Sequence, residues 1–173
     1  MPLNHKCSWC GDPLREDPSL YPNQEITSHG ICDKCSYLLQ GDSSRISDFI
    51  ASFKEPILVL DADVRAAFAN EPILNLLAKS FDSINGKLNG EIIECQYSRL
   101  PEKCGRTLHC SGCALRMTIT DTLKTGTPHK NVKSFHVIMN PNNTTTKLDL
   151  FFSTEKIENY ILVTIEKIVP EGE

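Results

Sequence analysis

Pro56-Ile57-Leu58-Val59-Leu60-Asp61-Ala62-Asp63-Val64, followed by Phe68-Ala69-Asn70-Glu71, is the stretch on which the architecture of this chain turns. Four consecutive apolar residues, Ile57 to Leu60, predict a short buried strand. Asp61-Ala62-Asp63 predicts a turn, and 64–69 a second strand with Val64, Ala66 and Phe68 on one face, so the segment reads as a hairpin. Asp61 and Asp63 are close enough to raise a carboxylate pair, but turn chemistry accounts for both. Asn70 then caps a helix whose first turn carries Glu71 and Pro72 and whose inward residues are Ile73, Leu74 and Leu77.

Working outward toward the N-terminus, Ile46, Phe49, Ile50 and Phe53 recur at helical spacing and give one apolar stripe. Glu55-Pro56 ends that helix, because proline disfavours helical geometry in the residue before it and supplies no amide hydrogen. Gly41-Asp42-Ser43-Ser44 marks a boundary with capping residues. Toward the C-terminus, Asn85-Gly86 and Asn89-Gly90 punctuate the chain before Ile92-Ile93 and a cysteine-rich loop. Leu115, Ile119 and Leu123 predict a helix over 111–124, stopped by Gly126 and Pro128. Three alternating strands follow: Lys133, Phe135, Val137 and Met139; Leu148, Leu150 and Phe152; Ile161, Val163 and Ile165. Their turns fall at 140–143 and 155–159. Strands at both ends with helices between them predict an α+β domain over 45–168, built on one antiparallel sheet with flanking helices.

The 173 residues suffice for one mid-sized domain and a small appendage. With 18 basic against 22 acidic side chains, the net charge of -4 disfavours a nucleic-acid partner, which needs clustered positive charge. The longest apolar runs, such as Ile57 to Leu60 and 160–165, fall far short of the ~20 residues that span a bilayer, so no membrane association is expected. The first seven residues contain no apolar signal core, and a cytoplasmic location is expected. The sequons at Asn142 and Asn143 read as part of a polar turn.

Eight cysteines are unusual for such a chain. In a reducing compartment, clustered cysteines are better explained as metal ligands or redox groups than as disulfides. Cys7-Ser8-Trp9-Cys10 and Cys32-Asp33-Lys34-Cys35 are two Cys-x2-Cys pairs within a segment, 1–41, too poor in periodic apolar residues to build its own core. Two knuckles of this kind complete a tetrahedron of thiolates, so Cys7, Cys10, Cys32 and Cys35 are expected to hold structural Zn2+ and staple a zinc-knuckle module. Trp9 would shield the knuckle. His29 precedes the second pair and is expected to cap it or stand behind the ligands rather than replace one. Through Asp42 this region carries three basic and six acidic residues, which disfavours a nucleic-acid-binding ribbon.

The second group, Cys95, Cys104, Cys110 and Cys113, has intervals of 8, 5 and 2 residues and falls inside the α+β domain. Cys110 and Cys113 lie near the start of the predicted 111–124 helix, where the dipole and free amides stabilise thiolates. Arg99, Lys103, Arg106 and Arg116 against Glu102 would offset a thiolate centre, whether Zn2+, [4Fe-4S] or metal-free redox-active thiols. His109 precedes Cys110, the reverse of the order used for covalent haem attachment. His129 and His136 stand singly on strands, where a surface or satisfied core role is the usual one rather than haem ligation.

The segments 56–64 and 68–71, in the order of elements just described, resemble the opening of a PAS sensor domain, and the resemblance extends over about residues 45–168. It implies a sheet forming one wall of a cavity closed by helices, in which many members hold a cofactor or small ligand. It also implies pairing through the 45–53 helix and the exposed sheet, so a homodimer is expected. Ser28-His29-Gly30-Ile31-Cys32-Asp33-Lys34-Cys35 resembles the second knuckle of a short zinc-binding module found beside PAS and receiver domains in bacterial signalling proteins. The stretch 104–116, with Cys104-Gly105 and His109-Cys110-Ser111-Gly112-Cys113, resembles a cysteine-bearing insert of some bacterial PAS domains, in which the cysteines are expected to hold a metal.

No glycine-rich phosphate loop, Ser-His-Asp set or paired-carboxylate site is present, and no enzymatic activity is expected. The primary expectation is a non-enzymatic signal-sensing protein that passes a ligand or redox state to a partner protein or to itself. The alternative is an iron-sulfur redox protein or electron carrier using the second cysteine group. A thioredoxin-like reductase is disfavoured because neither Cys-x2-Cys arrangement follows a strand of a βαβ unit.

Overall fold

The computed structural model describes residues 43–171 together with Cys7. The chain divides into two units, Met1–Ile46 and Ser47–Glu173. Cys7 is buried, whereas Cys10, Cys32, Cys35 and the rest of the expected 1–41 module lie outside the described residues.

Helix α1 (Ser43–Ala51) leads to the hairpin of β1 (Ile57–Leu60) and β2 (Ala66–Ala69). Short helices α2 (Glu71–Leu77), α3 (Phe81–Ile84) and α4 (Asn89–Ile92) follow, then 3-10 turns at Gln96–Arg99 and Leu108–Gly112. Helix α5 (Ala114–Thr125) precedes β3 (His129–Met139), β4 (Thr145–Ile157) and β5 (Tyr160–Pro170). All strand pairs are antiparallel, in the order β2-β1-β5-β4-β3. The α+β expectation holds for this five-stranded sheet and its flanking helices.

The hairpin forms where the sequence places it, but its second strand is shorter than the expected 64–69. Asp61 Oδ1 accepts the amide hydrogens of Asp63 and Arg65 at 2.9 and 3.0 Å, and Val64 sits at φ 61°. A β-branched residue in the left-handed region cannot continue a strand, so Val64 belongs to the turn and pairing starts at Ala66. The Asp pair is thus accounted for by the turn.

Asn70 organises the entry to the domain. Its Oδ1 accepts from the amides of Ile57 (2.9 Å) and Ile73 (3.2 Å), and its Nδ2 donates to the carbonyls of Ile50 (3.2 Å) and Glu55 (2.8 Å). Two acceptor and two donor positions are all the amide possesses, and all are used at 2% exposure. One side chain thereby joins α1, the following linker, β1 and α2.

The main core lies on the face of the sheet that carries Leu58, Leu60, Leu148, Leu150, Phe152, Ile161 and Val163, against Ile73, Ile84, Ile92, Leu115 and Ile119. The expected inward residues of β4, β5 and α5 are therefore where their period put them. Edge strand β3 differs. Lys133, Phe135, Val137 and Met139 alternate as expected, but Ser134 and His136 are the buried positions, and Phe135 is 53% exposed. The pairing Val132↔Phe152, Ser134↔Leu150, His136↔Leu148 sets this face. The burial of two polar residues has a purpose in the site described next.

Helix α5 begins three residues later than expected because Ser111 and Gly112 belong to the preceding 3-10 turn. It ends at Gly126, φ 75°, the left-handed conformation that glycine adopts without steric cost. A buried hydroxyl pair, Thr122 Oγ1 to Thr154 Oγ1 at 2.7 Å, fastens α5 to β4. Among the described residues no helix is long and apolar enough to cross a membrane.

Candidate functional site

The segment 93–113 contains no long regular element, and its cysteines are placed by turns and by anchors to the sheet. Its entry is fixed on both sides of Cys95. Glu94, at φ 57°, pairs with Lys79 and with Arg99. The Lys79 hydrogen bond holds the Glu94 carboxyl below its ordinary range against the opposing effect of burial. The Met139 amide donates to the Glu94 carbonyl at 2.8 Å, and Cys95 makes an isolated antiparallel bridge to Ile138. The cysteine segment is thus stitched to β3, at the border of the sheet.

Downstream, His109 stacks on Tyr97 with ring centroids 3.9 Å apart and 15° between planes, joining the two halves of the segment. Cys104 rests on Gly90 of α4: a Cβ built there would lie 2.6 Å from Cys104 Sγ, so the close approach requires glycine. Gly105, at φ 88°, lies against the Arg116 guanidinium and donates its amide hydrogen to Cys110 Sγ at 3.1 Å. Thr107 Oγ1 is 3.2 Å from the same sulfur.

These contacts bring Cys95, Cys104, Cys110 and Cys113 to the wall of a single cavity of about 520 Å³. All four are free thiols. Their surroundings differ. Burial pushes the Cys104 thiol up to about 11, and burial also raises Cys95. Burial acts in the same direction on Cys110, but hydrogen bonding by Thr107 and Gly105, with the charge of Arg116, outweighs it and lowers that thiol.

Four sulfur donors facing one space are the donor chemistry of a thiolate metal centre. Among the described residues, however, no three His, Cys, Asp or Glu side chains stand closely enough to hold one metal ion as placed. The sulfurs share a cavity without forming a closed coordination shell.

The surface or satisfied core role expected for His136 does not describe it. The residue is 4% exposed, lines the same cavity, and its Nε2 is the one buried side-chain nitrogen or oxygen among the described residues with no hydrogen-bond partner. Burial lowers its pKa to about 4, so the ring is neutral near pH 7. The signal that would have singled it out is the inward polar pair Ser134 and His136 within β3. Ser134 Oγ accepts the Leu115 amide hydrogen at 3.1 Å and so brings the first turn of α5 against this strand. His129, by contrast, is satisfied near the surface, with Nε2 2.8 Å from Asp121 Oδ2.

No family model matches the chain, and no curated protein matches it. Solved structures similar to it include the LOV protein of Rhodobacter sphaeroides, 16% identical over 82% of this chain and 69% of that one, with a TM-score of 0.46. A domain of a sensory box sensor histidine kinase/response regulator from Geobacter sulfurreducens is 14% identical over 72% of this chain and 93% of that one, TM-score 0.46. The PAS domain of nitrogen regulation protein NR(II) from Vibrio parahaemolyticus is 15% identical over 70% and 96%, TM-score 0.43. These neighbours are PAS and LOV domains of bacterial proteins.

Proposed function

We propose that the chain is a non-enzymatic sensory module of PAS type, in which the cysteine-lined cavity receives a ligand or redox signal and a partner protein, or a second copy of the chain, reads it. The supporting observation is that four cysteines spread over an irregular segment line one cavity between the sheet edge and the start of α5. Turn geometry alone has no reason to gather them. The segment's main-chain bonds to β3 give a change at sulfur a route into the sheet.

In this reading Cys7, Cys10, Cys32 and Cys35 hold structural Zn2+. Cys95, Cys104, Cys110 and Cys113 hold Zn2+ or a [4Fe-4S] cluster once the thiols draw together. A zinc would supply a scaffold, and a cluster would supply redox sensitivity. The homodimer would form through α1 and the open sheet face.

Metal analysis and visible absorption of anaerobically purified protein, with Cys95→Ser and Cys32→Ser compared, test this. The expected result is metal at both groups, with Cys95→Ser losing only the second. A brown sample that bleaches on reduction and recovers its colour on reoxidation would favour the iron-sulfur electron-carrier alternative. Unchanged metal content and melting in Cys95→Ser would remove the second centre altogether.

A further inference from the structure

We propose that the cavity beside the cysteines is a binding site for a small organic carboxylate, its charged end held by the first turn of α5, Arg106 and Arg116 and hydrogen-bonded by His136 Nε2. This deepens the sensory reading by naming a ligand class, and it rests on that reading only for the consequence of binding.

The observations come from three elements. Ala114, Leu115 and Arg116 of α5 line the cavity, which places the positive end of a 12-residue helix there, worth about half an elementary charge. The N-cap residue of that helix, Cys113, makes no side-chain hydrogen bond to its first amides. From the cysteine segment and α5, Arg106 and Arg116 also line the space, and among the described residues neither pairs with a carboxylate. Asp63 is the one carboxylate in the lining against Arg106 and Arg116, so with the four cysteines as neutral thiols the balance of fixed charge favours an anion, whereas a four-thiolate metal centre would consume that balance.

The third element is β3. A buried imidazole nitrogen without a partner is left desolvated at a cost unless something else bonds it. His136 meets that description in this cavity. In its neutral form it carries one ring N–H, and the Nε2–H tautomer donates to a carboxylate oxygen without adding a buried charge. The Ser134–Leu115 bond holds this strand position beside the helix start, so the donor, the dipole and the guanidiniums wall one space. Leu88, Ile93, Leu115 and Val137 supply an apolar surface in the same lining, which fits a ligand with an apolar body better than a bare inorganic anion.

Calorimetric titration of the full chain with benzoate, benzamide and sulfate decides the matter, with metal content and thiol count recorded on the same sample. Benzoate is expected to bind at least tenfold tighter than its neutral counterpart benzamide and tighter than sulfate. His136→Leu and Arg116→Gln are each expected to weaken benzoate at least fivefold. Equal binding of benzamide or sulfate, or full benzoate affinity in both variants, would overturn the proposal. Should His136→Leu fail to fold by circular dichroism, the exposed Arg116→Gln serves in its place, and full benzoate affinity in that variant alone overturns the proposal. Benzoate failing while metal is present sinks only this inference, and benzoate binding to metal-free protein sinks only the metal assignment.

Discussion

The joint around Asn70 and the cysteine segment 93–113 perform the same mechanical task, connecting irregular chain to the sheet, with opposite designs. At Asn70 one buried amide makes four hydrogen bonds with no polar capacity left over. In the cysteine segment the sulfurs have weak partners, the His136 imidazole on the adjoining strand β3 has a nitrogen with none, and space remains beside them. A saturated joint transmits position and resists change. An unsaturated one retains bonding capacity for something the chain does not itself provide, which is what a receptor site requires.

The strongest way to break this contrast is Asn70→Ala. It strands the buried amides of Ile57 and Ile73 and the Glu55 carbonyl, while the Ile50 carbonyl keeps the Phe53 amide, and a loss of about 3–5 kcal/mol in urea unfolding is expected. A loss under about 1 kcal/mol would mean that water replaces the amide and the joint is not special.

Acidification probes the other side. A His136 pKa of about 4 against an ordinary value of 6.5 means that the unfolded chain takes up the proton first. That stability is fully present above pH 6.5 and is lost as the pH falls toward 4, by roughly 3 kcal/mol at most. Comparing melting of the protein and His136→Leu over this window isolates the contribution: the variant should have the shallower slope, and parallel slopes would show that other groups control the acid response.

A smaller effect is expected at Gly90→Ala, where the new methyl meets Cys104 Sγ. A destabilisation of about 1–3 kcal/mol is expected, with faster alkylation of Cys104 as it is pushed from its seat. Unaltered alkylation would show that the thiol is not held there. Least of all should Leu108→Ser matter. Leu108 is 92% exposed at the tip of the cysteine segment, and a change within about 0.5 kcal/mol is expected by the same unfolding measurement. A larger loss would reveal a partner seated on the tip.

The contrast also explains what the sequence disclosed. The hairpin, the Asn70 cap, the α5 stripe and the inward residues of β4 and β5 were legible because period and capping are local properties written in adjacent residues. Val64 was misplaced because its left-handed backbone comes from the Asp61 turn, which period alone does not reveal. On β3 the apolar alternation pointed to Phe135 and Val137, whereas pairing with Leu148 and Leu150 turned Ser134 and His136 inward. Register overrode hydrophobicity there because the interior at that edge is a cavity rather than packed core, with Ser134 bonded to the Leu115 amide and His136 facing open space. The cysteines and their gathering at one place were expected from the sequence, but how the chain gathers them was not legible, since it depends on Gly90, Gly105 and the Tyr97–His109 stack.

The stitching of Glu94 and Cys95 to Ile138 and Met139 has one more consequence. An outermost strand ordinarily offers a row of unused amides and carbonyls to any passing chain. Here the sulfur-bearing segment occupies part of that row like a hem. Any strand added at this border would have to pair ahead of Ile138, on the stretch of β3 the segment leaves uncovered.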